Sequence, residues 1–415
     1  MCGPPGLPRR HRSVRGETQS EVHRPMMFVS SPVVADEQLT ADELTLVTAT
    51  AQLANDLDAS GSGRVDATRI SSSWYTRAAE LGLTRIQVPV ANGGLGYSYL
   101  CKLAIACSLS RVCMPFAFSL INTHNATAKL ADYGHAQHIK NLLPDLLATR
   151  RFGATALTEP QAGSDFSAIK TSAERSGDGW VLNGEKAWIT NAAFADVFIC
   201  YVQTAAAAGW RGIACFVIDG TRAGFERVPQ FELFGANAIG TGGFRLVNYE
   251  ASDADMIHPP GEAFKAALGS INGARTYVAG MCVAMLGDAL ASAVDYLRER
   301  EAFGAPLLEK QGLRWSLADI ATDLEAATEL TAKAARAVQA GSKDAILAAA
   351  HAKKYAARVT EQHILGCIQA MGANGLLASH GLGQHLVCAK LANYVDGSTE
   401  IQNERIATLL FDQKK

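Results

Sequence analysis

The sequence predicts a mostly α-helical protein with a central β-domain. Three observations carry that prediction. Residues 36–152 show helical periodicity, residues 153–255 break into short apolar runs bounded by turn residues, and residues 256–415 return to a helical pattern. The chain has 415 residues, 48% hydrophobic and 19% charged. That is enough for two or three packed units at ~100–200 residues each. A formal net charge of −2 leaves no basic domain of the kind that binds nucleic acid. The apolar content excludes disorder of the whole chain. The apolar stretches read as interrupted well short of the ~18 residues that a membrane span needs.

Residues 1–35 read as a basic N-terminal extension. The stretch MCGPPGLPRRHRSVRGETQSEVHR carries five arginines and almost nothing to bury. It has no apolar core of a signal peptide, and Glu17 and Glu21 count against a transit peptide. It is expected as a disordered tail, or as an over-long start with Met26 or Met27 as the first residue. Helices begin after Asp36 and Thr40, where acidic residues follow a capping side chain. Leu81 to Gly96 reads as a loop, because Pro89 and Gly93–Gly94 break the periodicity. Between 153 and 250 the runs WVLNGEKAWITN, VFICYVQT, GIACFVID and FRLVNYE read as strands, with hairpin signals at Asp178–Gly179 and Asn183–Gly184. Beyond Pro260, LADIATDLEAATELTAKAARAV and AILAAAHAKKYAARV have strong helix propensity. The nine cysteines are scattered without a CxxC, which suits a reducing compartment: cytoplasm, or mitochondrial matrix in a eukaryote. No metal site is expected.

Two segments carry chemistry. Thr155 to Asp165, TALTEPQAGSD, is a strand that ends in a turn with clustered hydroxyls. Asn183 to Asn191, NGEKAWITN, presents Trp188 between hydrogen-bonding residues. A flat heteroaromatic ring needs such features: polar groups along one edge and an aromatic wall on one face. The same residues also suit an ordinary turn beside a core tryptophan.

The order of motifs decides more. The chain resembles the acyl-CoA dehydrogenase family from about Leu81 to its C-terminus. The resemblance is carried, in the family's order, by PVANGGLG (89–96), LPDLLATRRFGATALTEPQAGSD (143–165), WVLNGEKAWITNAAFADVF (180–198) and INGARTYVAG (271–280). REAFGAPLLEKQGLRWSLADIATDLEAA (300–327), QAMGANG (369–375) and YVDGSTEIQNERIA (394–407) complete it. The family fold is a helical N-terminal domain, a β-barrel-like middle domain and a C-terminal four-helix bundle. The resemblance implies bound FAD, an acyl-CoA or acyl-carrier-protein substrate, and an electron-transfer flavoprotein or similar acceptor. It also implies a homo-oligomer, commonly a tetramer built as a dimer of dimers.

Residue by residue, the resemblance puts Leu157 and Thr158 at the flavin's polar edge and Trp188 over one face, with Thr190 beside it. Arg300 and Phe303 match an R-x-x-F-G element that reaches the FAD pyrophosphate of a neighbouring subunit, a task suited to an arginine fork. Gln369, Gly372 and Ala373 match a Q-x-x-G-G element at the same interface, with alanine in place of the second glycine. Ser398 and Glu400 are further cofactor candidates. Ser164, Arg275 and Gly397 are substrate-side candidates.

The family's reaction removes a proton α to a thioester carbonyl and transfers the β hydrogen as hydride to flavin N5. The base is commonly a glutamate before a glycine. Here the matching residue is Asp396, in Tyr394-Val395-Asp396-Gly397-Ser398, and the alternative base position before Arg275 is Ala274. Asp-Gly-Ser-Thr is also an ordinary turn and helix start, with Thr399 and Gln402 at capping-box spacing. Aspartate is one methylene shorter than glutamate, and a displacement of ~1 Å can cost ~100-fold in rate. Three reactions therefore stay open: dehydrogenation of an acyl-CoA, oxidation of an acyl group on a carrier protein, and oxidation of another carbon acid as in nitroalkane oxidases. A non-catalytic flavin-binding protein of the same fold is the contrasting alternative. Two further departures from the family are Asn237, where an arginine is common, and VCAK (387–390) in a stretch usually richer in charge. His124 reads as a core or helix-surface residue.

Overall fold

The computed structural model describes residues 33–64 and 66–411. The basic stretch expected at the N-terminus lies outside them except for residues 33–35, where Val33 and Val34 are buried. Helix α1 (Ala41–Ala59) starts where acidic residues predicted it. Thr40 caps the Glu43 N–H and the Glu43 side chain returns to the Thr40 N–H at 2.9 Å. Helix α2 (Ser72–Glu80) and the loop that follows it lead into α3 (Tyr99–Tyr133) and α4 (Ala136–Leu147).

Helix α3 is two helices joined at Cys113, whose φ of −148° and ψ of 90° are not helical; Pro115 follows. Lys102 and Asn125 are 23 residues apart, which would be about 35 Å on a straight helix. Their side chains nevertheless meet at 3.3 Å. The two halves of α3 therefore fold back on each other.

The middle unit is an eight-stranded sheet in the order β6-β7-β3-β2-β4-β5-β8, with β1 pairing in parallel with β4. Its strands are β1 (Gly153–Ala156), β2 (Ser172–Ser176), β3 (Gly179–Ile189), β4 (Val197–Gln203), β5 (Ile213–Asp219), β6 (Phe225–Val228), β7 (Gly242–Ser252) and β8 (Met256–His258). The sheet thus runs past the expected edge at 255. Every residue of β4 is buried. Phe198, Cys200 and Val202 join the main core, whereas Val197, Ile199 and Tyr201 face Leu130 and Leu146 of the helical domain. A strand buried on both faces reads as a continuous apolar run, which VFICYV is.

One hairpin expectation needs correction. Asn183–Gly184 is not a turn, because β3 continues through it. Gly184 has φ 148° at a register shift against β7, and a Cβ there would lie 2.5 Å from Thr171 Cα. Close approach of the Thr171 backbone, not chain reversal, requires the glycine. The β2–β3 hairpin does form, but its turn residues are Gly177 and Asp178, one place earlier than expected.

Helices α5 (Ala263–Glu299), α6 (Gln311–Gln339), α7 (Ala345–Met371) and α8 (Leu382–Ala392) pack as a four-helix unit, followed by α9 (Thr399–Leu410). A short hairpin, β9 (Glu301–Ala302) and β10 (Ala305–Pro306), joins α5 to α6. Helices α3 and α5 each contain a window apolar enough to span a membrane, contrary to the reading of interrupted stretches. In both, about four-fifths of that window is buried inside the protein.

The exit from β1 is fixed by a buried ion pair. Lys186 of β3 and Glu159 are 0% and 2% exposed and meet at 2.8 Å. Lys186 also donates to the Leu157 carbonyl at 3.1 Å, while Glu159 accepts from the Lys170 and Thr171 N–H groups at 2.6 and 3.0 Å. Burial pushes the Glu159 carboxyl up, but Lys186 and these N–H donors bring it below its ordinary value. Replacing Glu159 with Ala should strand a buried ammonium and cost ~3–5 kcal/mol in urea unfolding. The double replacement with Glu159→Leu and Lys186→Met should recover much of that loss.

Candidate active site

Asp396 lies between α8 and α9, in a turn of unusual backbone. Asp396 has φ 53° and Gly397 φ 94°. Aspartate tolerates the left-handed region better than most residues, and glycine adopts it freely. Three side chains hold the turn through its main chain. Arg275 Nε donates to the Asp396 carbonyl at 3.1 Å, Gln402 Nε2 donates to the Gly397 carbonyl at 2.9 Å, and Lys353 Nζ donates to the same carbonyl. Ser398 caps α9 through the Ile401 N–H. The cap is thus Ser398, not Thr399 as the capping-box spacing suggested, and Thr399 instead bonds Asn393.

The Asp396 carboxyl opens on a cavity of about 900 Å³ between α3, α5 and the sheet, shared with Leu157, Thr155, Tyr201, Ala274 and Tyr277. Its Oδ2 is shut off from solvent and has no hydrogen-bond partner among the described residues. Burial raises the Asp396 pKa, and the positive charges of Lys353, Arg275 and Lys129 only partly oppose the rise. A carboxyl in this setting can accept a proton from a carbon acid placed against it. Arg275 is 3% exposed and is lowered to about 10, by burial first and then by Arg405. It was expected on the substrate side. Its contacts are instead to the Asp396 carbonyl and the Asn272 side chain, so it positions the turn.

The other expected residues fall in two places. Leu157 lines the cavity, and Thr158 accepts the Ala187 N–H through its carbonyl at 3.1 Å. Trp188 sits in a register shift of β3 with φ 60°. It is 59% exposed, with one edge against Phe231, and Thr190 follows it half-buried. The indole is thus held in left-handed backbone with most of its surface bare. Ser164 is exposed.

The second place is the far end of the four-helix unit. Arg300 ends α5, and Phe303, in the β9–β10 turn, is 98% exposed at φ 54°. Gln369, Gly372 and Ala373 are exposed at the end of α7. Asn374 donates to the Tyr296 hydroxyl at 2.8 Å, which ties this end of α7 to the end of α5. The two elements expected at one cofactor phosphate are therefore adjacent. Gly372, at φ 62° and ψ −143°, occupies backbone space open essentially to glycine alone. Glu400 is exposed on the first turn of α9.

Several residues of the site were not singled out from sequence: Lys102, Asn125, Lys129 and Tyr277 on the cavity wall, and Lys353 at the Gly397 carbonyl. A signal existed for part of this set. Asn122, Asn125 and Lys129 stand at i, i+3 and i+7, on one face of the second half of α3. His124 is a core residue: burial drives its pKa down to about 3, and Nδ1 meets the Thr84 carbonyl at 3.2 Å. Asn237 bonds both the Leu233 backbone and Asp66.

Comparisons with known proteins agree with this arrangement. Residues 40–150, 154–249 and 261–411 match the N-terminal, middle and C-terminal domain families of acyl-CoA dehydrogenase. The chain is 32% identical over 327 residues to the short/branched chain specific acyl-CoA dehydrogenase of Rattus norvegicus, covering 79% of this chain and 75% of that one. It superposes on butyryl-CoA dehydrogenase from Megasphaera elsdenii with TM-score 0.85 and 26% identity, over 91% of this chain and 100% of that one. The prolyl acyl carrier protein oxidase AnaB matches with TM-score 0.81 and 25% identity, over 90% and 99%. The chain belongs to the acyl-CoA dehydrogenase family, FAD-dependent oxidoreductases acting on CH–CH groups.

Proposed function

We propose that the protein oxidises an acyl thioester between its α and β carbons, with Asp396 as the base. The observation that carries this reading is Asp396 itself: a half-buried residue on the wall of a cavity sized for a ligand, raised in pKa by burial, with its Oδ2 shut off from solvent and unpartnered among the described residues. The α C–H bond breaks, its proton passes to Asp396, and the β hydrogen leaves with its electron pair, giving an α,β-unsaturated thioester. Bound FAD supplies the two-electron sink that no side chain offers. Arg275 holds the Asp396 carbonyl and Lys353 the Gly397 carbonyl, so neither of these hydrogen bonds goes to the carboxylate. In this reading Leu157, Thr158, Trp188 and Thr190 receive the flavin ring. Arg300, Phe303, Gln369, Gly372 and Ala373 meet the FAD of a neighbouring subunit in a homo-oligomer. Ser398 and Glu400 lie at the α9 start beside the base, and an electron-transfer flavoprotein is the expected acceptor. The described cysteines are all free, in keeping with a cytoplasmic or matrix location.

Three outcomes follow. Asp396→Asn should retain FAD but lose anaerobic bleaching by acyl thioesters; full bleaching in that variant would remove Asp396 from the mechanism. A wild-type flavin that answers to nitroalkanes, and to no CoA-bound or carrier-bound acyl group, would overturn the thioester reading. The second outcome concerns pH. Below the ordinary aspartate value of 3.8 the carboxyl is protonated in both folded and unfolded chains. As pH rises through the window up to the raised folded value, the unfolded chain loses its proton first, so stability falls. Asp396→Asn should therefore be more stable than wild type at neutral pH in thermal unfolding, with the gain fading towards pH 3. Third, Arg300→Ala should weaken flavin retention on dilution by about tenfold, read by ultrafiltration and absorbance.

A further inference from the structure

We propose that the cavity takes an acyl thioester whose acyl chain carries its own carboxylate, and that the Lys102 ammonium holds that carboxylate. This rests on the dehydrogenation reading and specifies its substrate class.

A cavity for a plain aliphatic chain has no use for an ammonium group, yet this one contains two. Lys102 is 8% exposed, on the first half of α3, and Lys129 is on the second half; both line the cavity with Asp396. Lys102 donates to Asn125 Oδ1 at 3.3 Å and lies 5.3 Å from the Tyr99 ring and 6.0 Å from the Tyr277 ring. It forms no ion pair among the described residues, and the charge it feels is another cation, Lys129. An ammonium dried by burial and lacking a counter-ion is costly, and a ligand that brings the counter-ion relieves that cost.

The carboxylates on the same wall do not fill this role. Glu43 is committed to the N–H groups of Thr40 and Ser98, at 2.9 and 2.6 Å. Asp132 is exposed. Asp396 feels Lys353, Arg275 and Lys129. Lys129 is among the charges that act on Asp396 and Lys102 is not, so Lys102 is the cation of this wall left for a group elsewhere on the acyl chain. Burial, and then Lys129, depress Lys102 to about 7. An arriving carboxylate would restore its full charge.

Glutaryl-CoA and pentanoyl-CoA test this, because they differ by a carboxylate in place of a methyl group. Binding is read by calorimetry on the Asp396→Asn holoenzyme, and flavin bleaching on wild type. Glutaryl-CoA should bind at least about tenfold more tightly than pentanoyl-CoA, and Lys102→Met in the same background should bring that ratio close to one. Equal or tighter binding of pentanoyl-CoA overturns the proposal, as does a glutaryl preference that survives Lys102→Met. If Lys102→Met does not fold, the wild-type ratio and Lys102→Gln decide by the same criteria. Failure of both thioesters to bleach wild type would count against the dehydrogenation reading, whereas the binding ratio reports on Lys102 independently of turnover.

Discussion

The site depends on a division of labour among buried charges. Arg275 and Lys353 stand beside Asp396, yet their hydrogen bonds go to the carbonyls of Asp396 and Gly397. Direct pairing would have satisfied the carboxylate and depressed its pKa. Binding the main chain instead stabilises a left-handed turn, keeps the cations at a distance, and leaves Oδ2 without a partner. The Asp396 main chain is thereby set in one place, and positioning, not side-chain length alone, decides what a carboxyl can meet.

The same logic appears at the sheet. The Glu159–Lys186 pair carries no exposed charge, and its remaining capacity is spent on the Leu157 carbonyl and on the Lys170 and Thr171 N–H groups. It welds β3, which carries Trp188, to the segment leaving β1, which carries Leu157 and Thr158. Two segments far apart in sequence therefore share a rigid support. Two aromatic rings are left bare, Trp188 at the register shift of β3 and Phe303 in the β9–β10 turn after α5.

Much of the fold was legible because its signals are local. The change from helical to strand periodicity at Gly153 and back after Pro260 reflects backbone geometry that each segment carries within itself. The Thr40 cap could be read for the same reason. Where local chemistry suits two structures, the reading failed. Asn-Gly at 183–184 serves a tight turn or a bulge equally well, and only the approach of Thr171 selects the bulge. The cap of α9 moved from Thr399 to Ser398 because Asn393 engages Thr399.

The sequence by itself determined the three-part architecture, the family, and Asp396 as the carboxylate standing at the base position. Motif order and periodicity are properties of the chain in one dimension. Tertiary structure alone decided that Arg275 serves the turn, that α3 doubles back at Cys113, and that Lys102 is buried at the cavity wall beside Tyr99 and Tyr277. A lysine on a helix has the same local pattern whether water or protein surrounds it. Its charge acquires chemical meaning only when folding removes the water and withholds a counter-ion.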